Sequence, residues 1–161
     1  MLNADPAVFA ALFVALFTAH QVADHWIQTH AQAFGKGAPG WAGRWLCARH
    51  VATLTLTKAV VLVVVAAALP LHLQVWAVAV GLAVDAVSHY WADRRTTLLA
   101  LVDWLDATVL PGKSAFARLG QPRPGHDDAP HLGTGAYALD QSWHVGWLLV
   151  AALIACTGSA S

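Results

Sequence analysis

Four histidines and three aspartates, scattered along the chain, share a repeated spacing. His20 precedes Asp24 by four residues, His89 precedes Asp93 by four, Asp140 precedes His144 by four, and His50 stands apart. Gln28 and Asp85 extend two of these series by one more step of four. Such steps put side chains on one face of a helix, one turn apart. Imidazole beside carboxylate is ligand chemistry for Zn²⁺, and also for Mn²⁺ or Fe²⁺. It is equally the chemistry of a neutral hydrogen-bond network that holds helices together, or of a proton or ion path. An Asp one turn from a His suits shared ligation of an ion or orientation of the imidazole from behind. On that ground we read a divalent metal site first, with Zn²⁺ ahead of Mn²⁺ and Fe²⁺. His20, His89 and His144 are expected as core ligands, with His50, Asp24, Asp93 and Asp140 completing or orienting the set. The chain contains no glutamate. That excludes H-E-x-x-H metalloproteases and leaves Asp24, Asp93 or Asp140 as the catalytic general base.

The elements that must carry these residues are apolar. Of 161 residues, 58% are hydrophobic and 11% charged, with a mean hydropathy of +0.55, whereas a soluble domain carries about 25% charged residues. This argues against a water-soluble enzyme. Lys+Arg and Asp+Glu balance at 9 each, so nothing marks a nucleic-acid binder. Four stretches, residues 6–28, 50–69, 74–93 and 136–156, have the roughly 20-residue length and apolarity of bilayer spans. The expectation is one all-α integral membrane domain, residues 1–161, built as a four-helix bundle. The first stretch does not read as a signal peptide: no Lys or Arg precedes it, and His20, Asp24 and His25 follow its apolar run.

Lys36, Arg44 and Arg49 fall between spans one and two, and Arg94, Arg95, Lys113, Arg118 and Arg123 between spans three and four. Positive charge is retained on the cytoplasmic side, so both long loops are expected there and both termini outside. Every span then brings one His near its cytoplasmic end, and turning all four polar stripes inward makes a single shallow pocket. Cys47 and Cys156 fall on opposite faces, too far apart for a disulfide. Lys58 and Asp85 are each eight residues, about 12 Å, from His50 and Asp93, and are expected to form a buried pair. Residues 97–109 have an amphipathic period and should lie along the interface with Trp104 as anchor. His25, His30 and His72 read as interfacial or solvated, the His/Asp loop within 120–135 as solvated, and Trp26, Trp41, Trp45, Trp91, Trp143 and Trp147 as an aromatic belt. The H-x3-D of spans one and three hints at an internal repeat.

Taken in order, His20-Asp24-Gln28, Lys36, His50, His89-Asp93 and Asp140-Gln141-His144 resemble the pattern of domain of unknown function 3307, over about residues 16–148. The resemblance implies a bacterial inner-membrane protein and brings no activity with it. The chain departs from the family where His25 follows Asp24, in place of a frequent aromatic, and where Arg94/Arg95 replace the usual Lys, since arginine does not titrate. A looser similarity points to membrane-bound metal-dependent hydrolases. The leading expectation is therefore a metal-dependent hydrolase acting on a membrane lipid or lipid-linked substrate. Divalent-cation or proton transport, for which four short helices would need a homo-oligomer, and a non-enzymatic accessory protein are the alternatives.

Overall fold

The structure, a computed structural model, describes residues 4–121 and 134–159. Its helices are α1 (Pro6–Val22), which runs on into a π-helical turn (Ala23–Ile27), α2 (His30–Gly35), α3 (Gly40–Ala68), α4 (Val75–Asp93), α5 (Thr96–Thr108), α6 (Lys113–Ala117) and α7 (Gly135–Ala155). No strand occurs among the described residues. Four of the helices, α1 with its π turn, α3, α4 and α7, are long and apolar enough to cross a membrane.

The starts are specified locally. Asp5 caps α1, its Oδ1 accepting from the Ala7 amide at 2.7 Å ahead of Pro6 in the first turn. Thr134 caps α7 by accepting from the Tyr137 amide at 3.1 Å. Thr29 and Gln32 form a reciprocal capping box on α2. The chain leaves α4 through Arg95, a non-glycine residue at φ 57°, and turns at once into α5.

The long helices form a four-cornered bundle: α1 packs on α3 and α7, and α4 on the same two. The α1 and α4 H-x3-D pairs thus sit at opposite corners. One half of the interior is closed by Val8, Leu12, Leu16, Leu62 and Leu148, none more than 3% exposed. α4 and α7 approach most closely at Gly81, where an added Cβ would fall 2.7 Å from the Ala151 carbonyl. Outward-facing Val14, Val63 and Val87 are over 60% exposed.

Two boundaries depart from expectation. α3 begins at Gly40, not at 50, so His50 sits ten residues inside the helix, about 15 Å from its start. The apolar run marked only the greasy part of a helix whose first turns carry Trp41, Arg44, Trp45 and Arg49. His144 lies nine residues inside α7, whose start at Gly135 agrees with expectation, and His89 lies one turn from the end of α4. Gln28 does not continue the stripe of α1, because the π turn ends at Ile27 and Gln28 is extended (ψ 126°). The amphipathic helix, expected at 97–109, is α5; it buries Leu98 and Val102 and exposes Asp103 and Trp104. The four loop residues His126, Asp127, Asp128 and His131 lie outside the described residues.

Candidate metal centre

The four span histidines come from four helices, and each is at most 2% exposed. His89 and His144 stack with ring centroids 3.9 Å apart. His50 lies 5.2 Å from His89, and His20 lies 5.4 Å from His89 and 5.2 Å from His144. α1, α3, α4 and α7 therefore bring their imidazoles to one place.

The reactive atoms gather more tightly than the rings. His50 Nε2 is 3.2 Å from His89 Nε2, 3.2 Å from Asp24 Oδ1 and 3.3 Å from Asp93 Oδ2. His89 Nε2 is 3.2 Å from that same Asp93 oxygen. The π turn shapes this arrangement. It widens the end of α1 just where Asp24 must reach across to α3, and such turns recur where a helix is locally reshaped for a site. Despite the short separations, Asp24 Oδ1 and Asp93 Oδ2 are buried and have no hydrogen-bond partner among the described residues. A grouping of this kind could hold a metal ion.

The spacing fits a small divalent cation. Bonds of about 2.0–2.2 Å to nitrogen and oxygen in a tetrahedron give ligand–ligand edges of about 3.3–3.5 Å. Two sets of three could hold an ion, Asp24 with His50 and His89, and His89 with Asp93 and His144, each set's ligand atoms lying within 4.8 Å of one another. His50 belongs to the tighter set, although the sequence placed it as a completing residue. His20, expected as a core ligand, lies outside both sets, and both its nitrogens lack partners among the described residues. Asp140 also lies outside them. It stands 3.5 Å from His144 Nε2 with its side chain 24% exposed.

Polar neighbours orient the cluster. The Gln28 amide sits 3.0 Å from His50 Nδ1. Gln28 Nε2 donates to Nδ1; for His50 to ligate through Nε2 the amide would have to turn over, so that its oxygen accepts from Nδ1–H. Gln141 Nε2 donates to Asp24 Oδ2 at 3.3 Å and to Asp140 Oδ2 at 3.4 Å.

Lys36, just beyond α2, was read from sequence only as a loop charge and as part of a family pattern. It folds back so that Nζ lies 2.8 Å from Asp93 Oδ1 and 3.8 Å from Asp24 Oδ1. Arg94 holds this segment in place by donating to the Lys36 and Ala38 carbonyls, both at 2.6 Å. One ammonium thus faces two carboxylates, Asp24 and Asp93.

Asp24 and Asp93 reach the wall of a cleft of about 450 Å³, which His25, Lys36, Arg95, Tyr137 and Asp140 also line, whereas the four span histidines do not line it. Behind it, toward the apolar half, Lys58 Nζ donates to Asp85 Oδ2 at 2.6 Å, the two side chains 0% and 2% exposed. This is the pair expected from helix depth. His25, His30 and His72 are exposed. Trp26, Trp41, Trp45 and Trp104 are exposed, while Trp91, Trp143 and Trp147 are half-buried and stacked side by side. Cys47 and Cys156 are buried free thiols.

No curated protein and no solved structure matches the chain. A family model described as a protein of unknown function, DUF3307, matches residues 12–161. The match takes in His20, Asp24, Lys36, His50, His89, Asp93, Asp140 and His144, and so every side chain of the cluster. By this match over nearly its whole length, the chain belongs to the DUF3307 family.

Proposed function

We propose that this chain is a multi-pass protein of the bacterial inner membrane that holds a divalent cation, Zn²⁺ first among the candidates, and hydrolyses an ester of a membrane lipid or lipid-linked compound. The observation that carries the reading is His50 Nε2, which lies 3.2–3.3 Å from His89 Nε2, Asp24 Oδ1 and Asp93 Oδ2, the two aspartates reaching the wall of an open cleft. α1, α3, α4 and α7 span the bilayer as one domain, and α5 lies along the interface with Trp104 as anchor. Lys36, Arg44, Arg94, Arg95 and Lys113 fall at the cleft end of the bundle, which supports a cytoplasmic mouth and external termini.

A bound cation would activate the attacking water and polarise the phosphoryl or acyl oxygen of the substrate. The residues of the chain do the rest. With Asp24 and Asp93 committed to the ion, Asp140 at the rim is the free carboxylate and serves as general base. Water adds to phosphorus or to the acyl carbon and gives its proton to Asp140. The ester bond then breaks, and the departing oxygen takes that proton back. Lys36 holds Asp93 in position. Beyond the cluster, the Lys58–Asp85 pair and the Leu12, Leu16, Leu62 and Leu148 packing fill the bundle, which supports hydrolysis over passage of ions through it.

The test is metal analysis of detergent-purified protein alongside His50→Ala and Asp93→Asn, with lipid turnover followed on the same samples. The expected result is about one bound metal per chain, lost in both variants together with turnover. Wild-type protein that neither carries nor takes up metal, or variants that keep it, would overturn the reading.

A further inference from the structure

A second concavity runs beside the cleft, between α5 and α7. It holds about 380 Å³ and is walled mainly by Leu101, Leu105, Leu139, Trp143, Trp147 and Val150. Leu98 lines both this groove and the cleft, so the two meet at the first turn of α5. The groove has fixed walls. Trp143 donates its indole N–H to Ser88 Oγ at 2.9 Å and stacks between Trp91 and Trp147, with ring centroids 4.8 and 6.0 Å away. Its floor includes Gly146, where an added Cβ would meet nothing within 4 Å. That position therefore faces open space in the groove.

At the junction the chemistry changes from apolar to cationic. Arg95 donates one guanidinium N–H to the Ala33 carbonyl at 2.8 Å and lines the cleft together with Lys36. A planar guanidinium with further donors is suited to phosphate oxygens. A mainly apolar slot, with Lys113 also on its wall, ends at Arg95 and Lys36 beside Asp24, Asp93 and Asp140; with a divalent cation on those carboxylates, it is complementary to a molecule with a hydrocarbon chain at one end and a phosphate at the other.

We propose that the site takes an anionic phospholipid from the leaflet on its own side of the bilayer. One acyl chain lies in the α5/α7 groove, and the phosphate reaches Arg95 and the cluster. This assignment rests on the hydrolase reading and names its substrate class.

The experiment uses the full chain in nanodiscs of phosphatidylcholine doped with a diazirine-tagged phosphatidic acid, with adducts mapped by mass spectrometry and metal content measured on the same samples. Wild-type adducts should concentrate on Leu139, Trp143 and Trp147. Gly146→Leu, whose Cβ meets no neighbour, should lower them about tenfold or more, since it excludes about two methylenes from the slot. Arg95→Gln should lower them by a similar factor through loss of a charged donor, and a diazirine-tagged phosphatidylcholine should not label the groove. Labelling spread evenly over Val14, Val63 and Val87, equal labelling by the two headgroups, or no effect of Gly146→Leu would overturn the proposal. Metal retained alongside any of these results removes the lipid assignment alone; metal absent from the wild type removes the hydrolase reading.

Discussion

Replacing Lys58 by methionine tests how the interior below the cluster is held. Nζ lies 2.6 Å from Asp85 Oδ2, with both side chains out of contact with solvent. At an effective dielectric constant of about 20 the attraction is about 6 kcal/mol, against a desolvation cost of several kcal/mol per ion. The intact pair is therefore close to neutral in net stability, while half of it is not. Lys58→Met keeps the volume of the side chain but leaves Asp85 among apolar neighbours without its ammonium, at a cost of about 3–5 kcal/mol. That raises the unfolding constant about 10²- to 10⁴-fold. Lys58→Met/Asp85→Leu removes both charges and should recover most of the loss. The assay is equilibrium unfolding in mixed dodecylmaltoside–dodecyl sulfate micelles, followed by circular dichroism and run as a double-mutant cycle. A single variant within about 0.5 kcal/mol of wild type, or a double variant no better than the sum of the singles, would refute the reasoning.

Three further outcomes follow from the same geometry. Gln28→Ala removes the group facing His50 Nδ1 and should weaken zinc binding about 10- to 100-fold, as measured by chelator competition. Lys36→Met removes the ammonium that competes with a cation for Asp93 and Asp24, so zinc affinity should rise about tenfold in the same titration, even as turnover falls. Gly81→Val forces a side chain against the Ala151 carbonyl, where even a Cβ comes within 2.7 Å, and should destabilise the α4–α7 contact by about 1–3 kcal/mol in the micelle unfolding assay.

The residues of the cluster were legible in the sequence because helix periodicity is a local rule. His89 and Asp93, four apart on α4, meet at 3.2 Å, and equal offsets from His50 and Asp93 were enough to pair Lys58 with Asp85. What periodicity could not carry was the chain between helices. The expected start of α3 at 50 followed apolarity, which stops at His50, whereas the helix itself runs on through Arg49, Trp45, Arg44 and Trp41 to Gly40. Gln28 was placed on the α1 stripe by counting in fours. The π turn breaks that count and delivers the amide to His50 from an extended residue instead. Lys36 reaches Asp93 only because Arg94 pins the carbonyls of the α2–α3 connection, a contact between positions 58 apart. Its appearance in the family pattern was the one available signal. Which histidines come close enough to share an ion depends on how the helices are rotated against one another, which periodicity along one helix does not carry.

The central claim is an ion held by nitrogen and oxygen ligands from three different helices. X-ray absorption at the zinc edge on the zinc-loaded, detergent-purified chain measures that directly. The account predicts four light ligands at about 2.0–2.2 Å, two of them imidazoles by their multiple-scattering signature, with one imidazole lost in His50→Ala. A spectrum showing only water oxygens, a sulfur ligand, or no change in His50→Ala would contradict it.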